Sequence, residues 1–138
     1  MKVLIVEDSG LIRRVIAKVA TEQGYDTIEA GNGADGLAKL RKHGREIHLV
    51  VLDWNMPVMD GYEVLTKIRS AQEYDHVAVL MATSDGIEED VIKALKAGAD
   101  GYLVKPFTEE TLSGRMEELL NAPKNVRQRP CLKPANDR

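Results

Sequence analysis

The chain has 138 residues, 43% hydrophobic and 30% charged, which suits one ordinary domain and leaves little for a second. No apolar stretch approaches the ~18 residues needed to cross a bilayer, and Val3-Leu4-Ile5-Val6 runs into Glu7-Asp8 too soon to form a signal-peptide core. One cysteine, Cys131, excludes an internal disulfide and a Cys-based zinc site, so a soluble cytoplasmic protein is expected.

The net charge of −3 is unevenly divided. Residues 122–138 carry Lys124, Arg127, Arg129, Lys133 and Arg138 against Asp137, or +4, which leaves −7 for residues 1–121. So acidic a body argues against nucleic-acid binding, whose affinity comes mainly from Lys and Arg on phosphates. Residues 122–138 also hold Pro123, Pro130 and Pro134 and show no apolar period. They read as a disordered tail or linker, with a basic interaction arm as the sharper alternative. The domain is expected to span residues 1–121.

Within that span, short β-branched runs alternate with helical spacing. The first strand is Val3-Leu4-Ile5-Val6, followed by a helical face of Leu11, Ile12, Val15, Ile16 and Val19, which Gly24 would end. Thr27-Ile28 and then His48-Leu49-Val50-Val51-Leu52 give two more strands. Asp60 with Glu63 has the spacing of a helix cap and its third-position partner. After the strand Val77-Ala78-Val79-Leu80-Met81, the pair Asp85 and Glu88 repeats that signal. Ile87, Val91, Ala94 and Leu95 then share a face, and Gly98 closes the helix. Tyr102-Leu103-Val104 is the last strand, and Leu112, Met116, Leu119 and Leu120 mark the last helix. The first, third and fourth strands are nearly all apolar, as parallel strands covered on both faces must be. Five such units predict an open, doubly wound α/β sheet.

In that architecture ligands bind beyond the carboxyl ends of the strands. The first strand is followed there by Glu7-Asp8, the third by Asp53-Trp54-Asn55-Met56-Pro57, the fourth by Thr83-Ser84-Asp85, and the fifth by Lys105-Pro106-Phe107. Three carboxylates without Cys or matched His make a hard-oxygen site for Mg²⁺ or Mn²⁺. With Lys105 and the Thr83 hydroxyl they supply what phosphoryl transfer needs, and Asp53, ending the central strand, is the candidate nucleophile. Taken singly, each Asp also has a plain reading as a cap or turn residue, and His43, His48 and His76 are scattered. The ordering of four signals after four strands favours function.

These motifs, with Leu52-Asp53-Trp54-Asn55-Met56-Pro57-Val58-Met59-Asp60-Gly61 and Gly98-Ala99-Asp100-Gly101-Tyr102-Leu103-Val104-Lys105-Pro106-Phe107, resemble the receiver domain of two-component response regulators, especially the single-domain chemotaxis type. The resemblance runs from about residue 2 to residue 121. It implies a flavodoxin-like fold with strand order 2-1-3-4-5 and five flanking helices. It further implies Asp53 as phosphoacceptor, and Glu7, Asp8, Asp53 and the Asn55 carbonyl around Mg²⁺. Thr83 and Lys105 would hold the phosphoryl group, with Thr83 and Tyr102 as the switch and a cis peptide before Pro106. Asn55 and Asp85 match positions that tune phosphoryl lifetime. The only chemistry implied is self-phosphorylation and slow self-dephosphorylation. Implied partners are a sensor histidine kinase or phosphotransfer protein and a downstream output protein or domain. Neither nucleic acid nor membrane is among them, and a phosphorylation-dependent dimer through the fourth helix is left open. Two rivals share parts of the pattern. A haloacid-dehalogenase-type phosphohydrolase would want a second Asp where Asn55 stands, and a flavin binder would want a Gly- and hydroxyl-rich loop where Glu7-Asp8 stand.

Overall fold

The computed structural model describes residues 1–84 and 88–121. Five parallel strands, β1 (Lys2–Val6), β2 (Asp26–Ala30), β3 (Ile47–Asp53), β4 (Ala78–Thr83) and β5 (Gly101–Val104), form one sheet in the order β2-β1-β3-β4-β5. Between and after them run α1 (Gly10–Glu22), α2 (Gly33–His43), α3 (Gly61–Arg69), α4 (Glu88–Lys96) and α5 (Glu109–Leu120), with a short 3-10 turn at Gln72–Tyr74. The expected fold class, strand order and helix number are all found.

Strand periodicity divides the core into two layers. Leu4, Val6, Val50, Leu52, Val79 and Met81 point to one face, where Leu40, Val64, Leu65, Ile68 and Ala94 from α2, α3 and α4 cover them. Their sequence neighbours Val3, Ile5, Leu49, Val51, Ala78 and Leu80 point to the other, beneath Ile16, Val19, Leu112 and Met116 of α1 and α5. This is why β1, β3 and β4 read as unbroken apolar runs: both faces of each strand are buried. β2, at the sheet edge, has only Ala30 fully buried and carries the weakest strand signal.

Caps set the register of the helices. The Asp60 side chain accepts from the Glu63 amide at 2.9 Å, as its spacing predicts. Ser9, Asn32 and Thr108 do the same for α1, α2 and α5, unforeseen in the sequence reading. Gly24 and Gly98 take φ of +90° and +111° behind α1 and α4, a conformation only glycine adopts without strain. Asp85 and Ile87, expected to cap and face α4, lie outside the described residues, as do residues 122–138. Two expected core positions are corrected. Leu11 is 69% exposed and Leu95 is exposed too. Leu11 lies in the first turn of α1, beyond the carboxyl end of β1, so no sheet surface reaches it. Among the described residues no helix is long and apolar enough to cross a membrane.

Candidate functional site

Strand order makes the site. The chain passes from β1 to β2 at one side of β1 and then crosses back to β3 on the other, so β1 and β3 lie side by side where the order reverses. Glu7 immediately follows β1, and its amide donates to the Ala30 carbonyl of the β2 end at 3.1 Å. Asp53 ends β3, in register with Ala82 of β4, and the next amide, from Trp54, donates to the Ala82 carbonyl at 2.8 Å. Two carboxylates 46 positions apart in sequence thus face the same opening. Asp8 joins them: one carboxylate oxygen from each of Glu7, Asp8 and Asp53 lies within 4.8 Å of the others.

Lys105 completes the arrangement from β5. Its amide donates to the Thr83 carbonyl at 2.7 Å, which anchors the residue to the end of β4. Its Nζ then donates to Glu7 Oε1 at 2.9 Å and to Asp53 Oδ1 at 3.0 Å. Three carboxylates and one ammonium leave the cluster about two negative charges in excess, a deficit that a divalent cation matches. The all-oxygen donor set suits Mg²⁺ or Mn²⁺ better than a softer metal.

Burial differs among these groups. Glu7 is 1% and Asp53 3% exposed, whereas Asp8 opens to solvent. Loss of hydration pushes the Asp53 carboxyl up to about 7; the Lys105 hydrogen bond opposes that rise and the Glu7 charge adds to it. For Lys105, burial disfavours the ammonium and pulls its pKa down, but the hydrogen bonds it donates to Glu7 and Asp53 outweigh that, so the net displacement is upward. The cluster therefore holds one firm cation and one carboxylate that readily keeps a proton when no metal is present.

The remaining expected residues surround this core. The Asn55 amide donates to Asp53 Oδ1 at 3.3 Å, and its side-chain amide reaches Ser84 Oγ at 3.4 Å, bridging the loops after β3 and β4. Thr83 is buried at the end of β4, one residue beyond the register partner of Asp53. Tyr102, on the edge strand, pairs with Met81 and is 37% exposed. The Lys105–Pro106 bond is cis, as the resemblance implies. Gly61 could not be read as a site residue from its type alone. A Cβ there would run into the Asp53 carbonyl oxygen, so α3 can press against the Asp53 backbone only because this residue has no side chain. Ser9 and Arg13 were equally silent in the sequence. The Ser9 amide donates to Glu7 Oε2 at 3.1 Å and Arg13 Nη1 to the Glu7 carbonyl at 2.8 Å. No spacing rule points to either.

This fold, with an acidic trio and a lysine at its switch point, defines a phosphoryl-accepting signalling module. The family model described as the response regulator receiver domain matches residues 3–117, and the chain belongs to that family. A chemotaxis protein CheY homolog of Campylobacter jejuni is 39% identical over 121 residues, covering 87% of this chain and 92% of the relative. Among solved structures, chemotaxis protein CheY4 of Vibrio cholerae superposes with a TM-score of 0.80 at 35% identity, covering 86% of this chain and 97% of that one. A CheX–CheY–BeF3–Mg²⁺ complex from Borrelia burgdorferi gives a TM-score of 0.83 at 29% identity, covering 88% and 90%. The protein is a receiver of the CheY type, a phosphorylation-activated signalling switch rather than a classical enzyme. The phosphohydrolase alternative finds no support among these matches.

Proposed function

We propose that Asp53 accepts a phosphoryl group from a phosphohistidine on a sensor kinase or phosphotransfer partner. An Asp53 carboxylate oxygen attacks phosphorus, the P–N bond breaks, and the imidazole nitrogen leaves with its electron pair. The observation that carries this reading is the Lys105 ammonium shared between Asp53 and Glu7. It fixes the acceptor oxygen and supplies positive charge where three phosphoryl oxygens would arrive. Glu7, Asp8, Asp53 and the Asn55 carbonyl would hold Mg²⁺ or Mn²⁺, which would neutralise charge on those oxygens. The fit rests on the three carboxylate oxygens gathered within 4.8 Å.

A new phosphoryl group adds close to two negative charges beside buried Thr83 and Lys105. Lys105 would transfer part of its pairing from Glu7 to the phosphoryl oxygens, and the Thr83 hydroxyl would turn toward them. The space Thr83 leaves would admit Tyr102 from its exposed position, altering the surface of α4, β5 and α5 that an output protein or domain meets. This is a shift between two packings biased by a local charge. Self-phosphorylation and slow self-dephosphorylation would be the only chemistry. Residues 1–121 would be the receiver and residues 122–138 a separate basic tail. The setting would be cytoplasmic, and a phosphorylation-dependent dimer through the α4 face is compatible with this scheme.

Mass spectrometry after incubation with acetyl phosphate and Mg²⁺ tests the assignment. One added phosphoryl group is expected, and none in Asp53→Asn. Persistence of the label in that variant would place the acceptor elsewhere.

A further inference from the structure

Asp8 is the weakly held member of the acidic trio. Glu7 is fixed by Lys105 and the Ser9 amide, and Asp53 by Lys105 and the Asn55 amide. Asp8 is exposed, and within the described residues no hydrogen bond or ion pair holds its carboxylate. Its direction is therefore set by its backbone, and above all by the peptide plane that joins Glu7 to Asp8. The carbonyl of that plane accepts from Arg13 Nη1 at 2.8 Å.

Arg13 is itself placed from three sides. Its amide donates to the Ser9 carbonyl in the first turn of α1 at 2.9 Å. Its Nε donates to Glu29 Oε1 of β2 at 3.0 Å. The guanidinium lies between two glycines: a Cβ on Gly31 or Gly10 would sit 3.6 or 3.7 Å from its terminal nitrogens. A planar fork can serve Glu29 and the Glu7 carbonyl together, which a lysine ammonium cannot do with the same geometry.

We infer that Arg13 is a positioning residue for the metal, clamping the Glu7–Asp8 peptide so that Asp8 faces Glu7 and Asp53. The inference rests on the proposed metal-binding role of the acidic trio. Partners that orient metal ligands typically contribute a factor of about 10 or more to affinity.

The sign of the effect separates positioning from plain charge. A cation near a divalent-metal site repels the metal, so removing Arg13 for its charge alone would tighten binding. Removing a clamp weakens it. The test is a MgCl2 titration of the full chain followed by fluorescence of Trp54, the single tryptophan and the neighbour of Asp53. Arg13→Met is expected to raise the Mg²⁺ dissociation constant about 10-fold and Arg13→Lys to fall between it and the wild type. Arg14→Met, the same charge lost from an exposed neighbour, should leave binding unchanged or slightly tighter. Equal or tighter binding by Arg13→Met overturns the inference while the metal site itself stands. Should Arg13→Met fail to fold, Arg13→Lys, which keeps the charge but not the planar fork, decides. A loss of about 3-fold or more supports the clamp, and unchanged binding overturns it. A wild-type chain that fails to respond to Mg²⁺, by fluorescence and by calorimetry, would instead overturn the metal reading on which the inference rests.

Discussion

A carboxylate stripped of water prefers to keep its proton, and at Asp53 this preference is strong enough to bring its pKa to about 7, mainly through burial. The unfolded chain would hold that group near 3.8. Between these values the folded protein binds more protons than the unfolded one, so metal-free stability falls as pH rises through the window. The stabilisation is fully present below the lower value and is lost as pH passes about 7. Urea unfolding in EDTA from pH 4 to 8 should show this descent, and Asp53→Asn should flatten it. At pH 8 the variant should be the more stable by ~1 kcal/mol or more, a few degrees in melting temperature for a chain of this size. An unchanged profile would mean that Asp53 is ionised across the whole range. Sequence made the residue types at this edge legible, because each follows a recognisable strand. It could not give the acidity. That depends first on how deeply Asp53 is buried, and then on Lys105 and Glu7, 98 positions apart in sequence, pairing beside it.

Elements are joined here by one residue that pattern reading passes over. Arg69 ends α3 with 4% exposure, although an arginine in the last turn of a helix usually sits in water. Its Nε donates to the Gly98 carbonyl at 2.8 Å, Nη1 to that of Tyr74 at 3.1 Å, and Nη2 to that of Val77 at 2.7 Å and to Asp100 Oδ2 at 2.8 Å. Asp100 Oδ2 also accepts from the Val79 amide at 2.9 Å. One guanidinium thus ties α3 to the 3-10 turn, the start of β4 and the loop between α4 and β5. Arg69→Met keeps most of the stem but leaves Asp100 without its cation and three carbonyls short of a donor. A loss of about 3–5 kcal/mol in urea unfolding is expected. Lys18→Met, which breaks the exposed pair with Glu109, should cost less than about 1 kcal/mol. Similar losses for the two variants would show that the buried network is not what joins these elements. Helix faces were legible for the same reason that Arg69 was not. Period marks which residues face a sheet, as with Ile16, Val19, Leu112 and Met116. It says nothing about where an element overhangs that sheet, as at Leu11, or folds a charge inward to bind carbonyls.

At the scale of the whole molecule, position along the sheet separates charge from response. The acidic trio occupies the carboxyl ends of the central strands β1 and β3, whereas Tyr102 lies on the edge strand β5, two strands beyond β3. Within the sheet β4 lies between them, and Lys105, just after β5, reaches the trio directly. Asp53 is in register with Ala82, Thr83 follows Ala82, and Met81 is the register partner of Tyr102. That geometry follows from strand order, which was legible only through the resemblance; the five alternating units by themselves predict the doubly wound class and not the order. Which rotamer Tyr102 adopts is a packing matter and could not be foreseen. In the proposed switch, Thr83 is the only described polar side chain in the β4 segment of this path. Hydrogen exchange measured with and without BeF3− and Mg²⁺ isolates its contribution. In the wild type, addition should change protection both at the strand ends around Asp53 and across residues 88–104. In Thr83→Ala the first change should persist while the second shrinks, because the ligand still binds but the hydroxyl that transmits its charge is gone. Loss of both changes would make Thr83 part of the binding chemistry, and retention of both would route the signal through β3 and α3 instead.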